Sequence, residues 1–298
     1  MATVVVATAN GIHSLGIDGS SDVALEGKPV TTVARDGDGM WAIVDAAELW
    51  RSDGDRWTRA ATLTDRRPTC LAIVRGDVLV GTDEAHLLRV VDDEVAPIET
   101  FDRVDGRDRW YTPWGGPPAT RSIANWTPDT YVNVHVGGIL RTGDGGQTWS
   151  PTIDIDADVH QVTTAEGLVL AACAGGLAVS TDRGESWSMR TEGLATTYAR
   201  AVAVWRDQVV LSASRGPRGG DAAVYRAPLD GGAFRRCEAG PGSFDGNIDT
   251  YGLDALPEGD VAAFGTASGQ LYASTDAGET WTELGTGLPQ VRRVLLMP

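Results

Sequence analysis

One eight-residue pattern occurs three times in this chain, at 142–149, 180–187 and 274–281. Each copy reads hydroxyl, any residue, Asp, any residue, Gly, any residue, hydroxyl, Trp. Three matches in 298 residues mark a repeat protein. A short alternating apolar segment precedes each copy (138–140, 176–179 and 270–272), and each Trp leads into another extended run, which spells strand, tight turn, strand. The chemistry of the octet suits that turn. The side chains of Asp144, Asp182 and Asp276 can accept hydrogen bonds from turn amides, and Gly146, Gly184 and Gly278 can take a positive φ. The hydroxyl before the Trp can tie the turn again, and Trp149, Trp187 and Trp281 carry a large apolar face into the gap between neighbouring sheets.

Apolar runs at 4–8, 41–44, 78–81, 131–135, 168–172, 209–212 and 261–265 recur at roughly forty residues, the period of four-stranded propeller blades. Seven further extended runs lie between or after them, at 30–34, 69–74, 122–124, 160–163, 200–204, 250–256 and 291–296. The last has no blade after it, while the N-terminus begins on a second-strand run. The two ends together complete one blade and hide the edges of an open sheet. The expectation is an all-β, seven-bladed β-propeller over 1–298 as a single domain, closed by its terminal strands, with six blades as the alternative. Degraded octets at 52–57 and 230–234, and the lack of one over 87–101, are decay of the kind repeats tolerate.

The octet resembles the Asp-box, or BNR repeat, of sialidases, sortilin-type receptors, some glucanases and photosystem-assembly propellers. That resemblance implies a propeller whose boxes sit on blade hairpins, on the face away from any active site. It implies the fold far more than the function.

The balance of 41 acidic against 25 basic residues, a net charge of −16, argues against nucleic-acid and anionic-membrane partners. Lys28 is the sole lysine, and this Asp-rich, Lys-poor composition resembles that of halophilic proteins and predicts stability that depends on salt. Cys70, Cys173 and Cys237 are odd in number and lack metal-type spacing. The opening residues have neither a basic region nor a long apolar core, so a cytoplasmic location without signal peptide or membrane span is the expectation.

Three stretches exceed what the repeat needs: 102–120, 214–222 and 237–248. Strand bookkeeping assigns all three to the face opposite the octets, and loops longer than the scaffold requires usually carry function. Trp110, Tyr111 and Trp114 crowd the first, either as a flat platform for a sugar, aromatic ligand or protein, or as a plug that buries its own rings. Arg121, Arg200 and Arg292, at the starts of inner strands, and Arg215 nearby, suit a carboxylate or other anion; alternatively they pair with carboxylates to hold blades together. His135 and His160 fall on adjacent blades near Asp158, but without H-x-x-x-H spacing or a further ligand they read as hydrogen-bonded rim residues, and no metal or cofactor is expected.

The sialidase resemblance implies an Arg triad, for which Arg121, Arg200 and Arg292 are candidates, with Tyr198 or Tyr251 as nucleophile and Asp158 or Asp249 as acid. The family's Arg-Ile-Pro motif is absent, and no Glu can be assigned beside either Tyr. Asp158 and Asp249 also serve a general two-carboxylate glycosidase. The reading adopted is a stand-alone propeller that binds a small anionic or sugar-like ligand, or a protein, through its loop-rich face; the alternative is a glycoside hydrolase.

Overall fold

The computed structural model describes residues 2–54, 56–165, 167–240, 242–276 and 278–298. Asp55 of the shortened octet, Ala277 of the third octet, Pro241 of the third long stretch and Met1 lie outside the described residues, as does Glu166.

Strands form wherever the apolar runs recur, and they group into seven antiparallel sheets, the blades of a seven-bladed β-propeller. The first blade holds Thr3–Thr8, Gly11–Gly16 and Ser21–Ala24, and takes Val291–Met297 as its fourth strand. Val4 lies opposite Leu296 and Val6 opposite Val294, so the terminal strands close this sheet as the leftover run required. The second blade is Val30–Asp36, Gly39–Val44, Glu48–Ser52 and Trp57–Thr62; the third is Pro68–Val74, Asp77–Thr82, Leu87–Val91 and Glu94–Pro97. The fourth is Thr120–Trp126, Asp129–Val134, Gly138–Thr142 and Ser150–Pro151; the fifth is Val159–Ala165, Leu168–Cys173, Gly176–Ser180 and Ser188–Arg190. The sixth is Tyr198–Trp205, Gln208–Ser214, Ala223–Pro228 and Arg235–Arg236. The seventh, Leu253–Ala255, Ala262–Gly265, Leu271–Ser274 and Thr280–Gly285, gains a fifth strand, Glu238–Ala239, parallel to its edge.

The chain divides into two compact units. One, 1–30, 172–177 and 189–298, holds the first, sixth and seventh blades; within it Val4, Val6, Val261, Leu271, Val294 and Leu296 form one apolar core. The other, 31–171 and 178–188, holds the second, third and fourth blades and the first strand of the fifth; Trp41, Ile43, Leu71, Val80 and Leu88 are buried together there. No helix among the described residues is long and apolar enough to cross a membrane.

The octets fold alike. Thr142 donates to Asp144 Oδ1 at 2.8 Å, Gly146 N–H donates back to Thr142 at 2.9 Å, and Thr148 donates from N–H and hydroxyl to the two Asp144 oxygens at 2.9 and 2.7 Å. Asp182 with Ser180 and Ser186, and Asp276 with Ser274 and Thr280, repeat this network. Gly146, Gly184 and Gly278 take φ of +93°, +92° and +77°. The Trp partners differ from copy to copy. Trp149 meets Phe101 edge-on at 5.0 Å, Trp187 donates its indole N–H to Thr152 O at 2.8 Å, and Trp281 lies 5.0 Å from Phe264.

Candidate functional site

The site residues expected from sequence fall into two groups, one in each compact unit, and each is described by itself. A shared device prepares both. In the first, third, fourth and sixth blades the inner strand carries a β-bulge near the end where its ladder to the next strand begins, so that Arg292, Thr69, Arg121 and Arg200 drop out of the pairing. A bulge bends the strand and re-aims the extra side chain, which is how a repeat frees one residue per blade for other contacts.

In the unit that includes 31–171, the 102–120 loop joins the third blade to the fourth. It leaves the short helix Glu99–Asp102, whose Phe101 is buried, and turns through a 3₁₀ segment, Arg107–Arg109. Asp102 pairs with His86 Nδ1 at 2.8 Å, and Arg107 donates to the carbonyls of Ala85 at 2.7 Å and Glu84 at 2.9 Å. The Arg107 guanidinium also lies 4.8 Å from the Trp110 ring centre. These anchors were invisible to sequence reasoning, since sixteen residues separate His86 from Asp102 and no spacing signals the pair.

The loop's rings differ in exposure: Trp110 is half-buried beside Phe101, with ring centres 6.2 Å apart, whereas Tyr111 is 47% exposed and Trp114 66% exposed. The Thr112 hydroxyl donates to Gly116 O and closes the turn that carries Trp114.

One face of Trp114 meets His135, with ring centres 5.1 Å apart. His135 follows the strand Asp129–Val134 directly, and its N–H donates to Ala119 O at 2.9 Å. Its ring centre is 5.6 Å from that of His160, which is fully buried in the strand Val159–Ala165. Asp158 reaches both imidazoles: Oδ1 is 3.2 Å from His135 Nε2 and Oδ2 is 3.6 Å from His160 Nε2. Its backbone is left-handed, φ 48° and ψ 66°, a conformation Asp tolerates better than most residues. Burial works against the Asp158 charge, but the His135 hydrogen bond and the nearby His160 and Arg121 charges outweigh it and hold the carboxyl below the usual range. Sequence placed these residues near one another; the fold brings one ligand-type atom from each within 4.8 Å of the others.

In the other unit, Arg200 donates to Asp249 at 2.8 Å and to Pro217 O at 3.4 Å, and its guanidinium lies 5.4 Å from the Tyr198 ring centre. Burial opposes the Arg200 charge, but Asp249 beside it keeps its pKa raised. Arg215 pairs with Asp221. Arg292 sits half-buried at its bulge, and Arg293 stacks 3.8 Å from the Tyr251 ring centre. Two of the arginines expected to receive an anion are therefore paired with carboxylates already.

Of the three long stretches, 237–248 contributes side chains to the core of its unit. Cys237, Ala239, Phe244 and Ile248 are buried in the core, and Phe244 packs 5.5 Å from both Phe264 and Tyr272. The 214–222 loop leans on this stretch: Asn247 donates to the carbonyls of Gly216 and Pro217 at 3.3 and 3.2 Å.

No family model matches the chain, and no curated protein matches it. Solved structures do. An ancestral GH74 enzyme matches over 91% of this chain at 15% identity, with a TM-score of 0.62; the chain spans 37% of that enzyme. YCF48 bound to D1 peptide matches over 95% of this chain and 85% of its own, at 15% identity and a TM-score of 0.58. The WD40 repeats of RRP9 match over 89% and 82%, at 14% identity and a TM-score of 0.62. At these identities the likeness establishes the propeller fold alone.

Proposed function

We propose that this chain is a propeller of the Asp-box, BNR-like kind that acts as a binding module, holding an extended segment of a partner protein on the 102–120 loop. The observation that carries this reading is the exposure of Tyr111 and Trp114 on a loop whose base is fixed by Asp102, Arg107 and Trp110. Rigid aromatic rings held out to water on an anchored loop are what a hot spot requires. The net charge of −16 favours segments carrying basic side chains, which an exposed indole also attracts. YCF48, a propeller of similar fold, has been seen with a peptide, which supports the class of partner.

The glycoside-hydrolase alternative draws less support. Asp249 is paired with Arg200, and Asp158 lies between two imidazoles with its carboxyl shifted down, opposite to the shift a general acid needs. A small anionic ligand is weakened likewise by the pairing of Arg200 and Arg215.

The test is selection of a random-peptide display library on the full chain. Enriched peptides should carry basic residues and should lose about tenfold or more in affinity on Trp114→Ala, the scale of a hot-spot aromatic. Peptides that bind wild type and Trp114→Ala,Tyr111→Ala equally, or a failure to enrich any, would overturn the reading.

A further inference from the structure

We propose that His135, Asp158 and His160 form a binding site for a divalent late transition metal such as zinc. The donor set is two imidazole nitrogens and one carboxylate, the combination that selects such ions over magnesium or calcium. Metal bonds of about 2.0–2.2 Å to these donors, arranged tetrahedrally, place neighbouring donor atoms about 3.4 Å apart. His135 Nε2 lies 3.2 Å from Asp158 Oδ1 and His160 Nε2 lies 3.6 Å from Asp158 Oδ2, each near that edge but on different carboxylate oxygens, and one ligand atom from each residue lies within 4.8 Å of the others. Both imidazoles present Nε2 to the same carboxylate, and drawing the three donors onto one ion requires separations of up to 4.8 Å to close to about 3.4 Å.

The framework is ordered in advance. His160 is fully buried, His135 is buried beneath Trp114, and the left-handed Asp158 turns its carboxylate back onto both. Three protein ligands leave one tetrahedral position for water or a ligand atom, the arrangement of open rather than purely structural zinc sites. The indole of Trp114 restricts solvent on the His135 side, which strengthens charge interactions at the centre. This inference stands apart from the peptide reading, because ion binding is measured with no peptide present.

The experiment uses the full chain, stripped with a chelator and titrated with Co²⁺, whose visible absorption reports tetrahedral nitrogen and oxygen ligation; Zn²⁺ is then added in competition. Wild type should bind one Co²⁺ saturably and release it to Zn²⁺. Truncating the fully buried His160 risks unfolding, so the variants are Asp158→Asn, which suits the left-handed backbone, and His135→Gln, each checked for a native circular-dichroism spectrum. Each should weaken binding by about tenfold or more, while His13→Gln, at a half-buried histidine of the first blade, should not. Absence of saturable binding by wild type, or equal affinity in wild type and Asp158→Asn, would overturn the assignment and leave the three residues as a hydrogen-bonded cluster.

Discussion

Asp254→Asn should make the protein more stable relative to wild type as pH rises. Asp254 lies in the first strand of the seventh blade, and its Oδ2 accepts the Leu296 N–H at 2.8 Å, tying that blade to the C-terminal closing strand. Burial pushes its carboxyl up, to about 6, against the opposing pull of that hydrogen bond and of the Arg293 charge. The folded state therefore holds this proton more tightly than the unfolded chain does. A raised carboxyl stabilises the fold below the unfolded value of 3.8, and that contribution is lost as pH climbs through the folded value of about 6. The difference is worth about 3 kcal/mol, an upper bound because the residue keeps some solvent exposure. Asn keeps an oxygen for Leu296 and carries no charge at any pH. Denaturant unfolding of both proteins between pH 4 and pH 7.5 isolates this group, since all other titrations are common to the pair. The variant's advantage should grow by as much as about 3 kcal/mol across that range. A difference independent of pH would show that the carboxyl is ionised in the fold and that Arg293 fully compensates it.

Two further outcomes follow from the packing. Gly193 has φ +83° and faces the Phe234 carbonyl so closely that a Cβ would come within 2.0 Å of that oxygen, so Gly193→Ala should cost about 2 kcal/mol or more, read from the denaturation midpoint; a neutral result would mean the segment shifts freely. Cys70, Cys173 and Cys237 are all buried, and burial pushes the Cys237 thiol up to about 11. A thiol reagent should therefore label none of the three in the native protein and all of them in denaturant, whereas rapid native labelling would contradict the packing.

The sequence disclosed the fold because the octet is a local device. Asp144, Gly146 and Thr148 close their turn with bonds spanning at most four residues, so the pattern can be read without knowing what surrounds it. The closing strand is legible for a different reason: the run at 291–296 has no blade after it, so it is placed only as the missing strand of the first blade. The burial of the 237–248 stretch is not legible in this way, because Cys237 and Phe244 join a core with Phe264 and Tyr272, tertiary partners that local composition does not name.

The candidate site shows how the two kinds of information combine. The bulges that free Arg121, Arg200 and Arg292 recur because the repeat recurs, so their positions are set by the scaffold while their partners are not. Arg200 meets Asp249 and loses its availability for a ligand; Arg121 lies near Asp158 and helps to keep that carboxylate charged between two histidines. The same bulge geometry thus accompanies an ion pair at Arg200 and a His-Asp-His cluster near Arg121. At Asp158 the repeat itself is interrupted, by a short 3₁₀ turn ending in a left-handed residue, and it is this local departure that aims the carboxylate at His135 and His160. The most informative residues in a repeat fold are therefore those placed by the period but oriented by an exception to it, as Asp158 is by its left-handed turn.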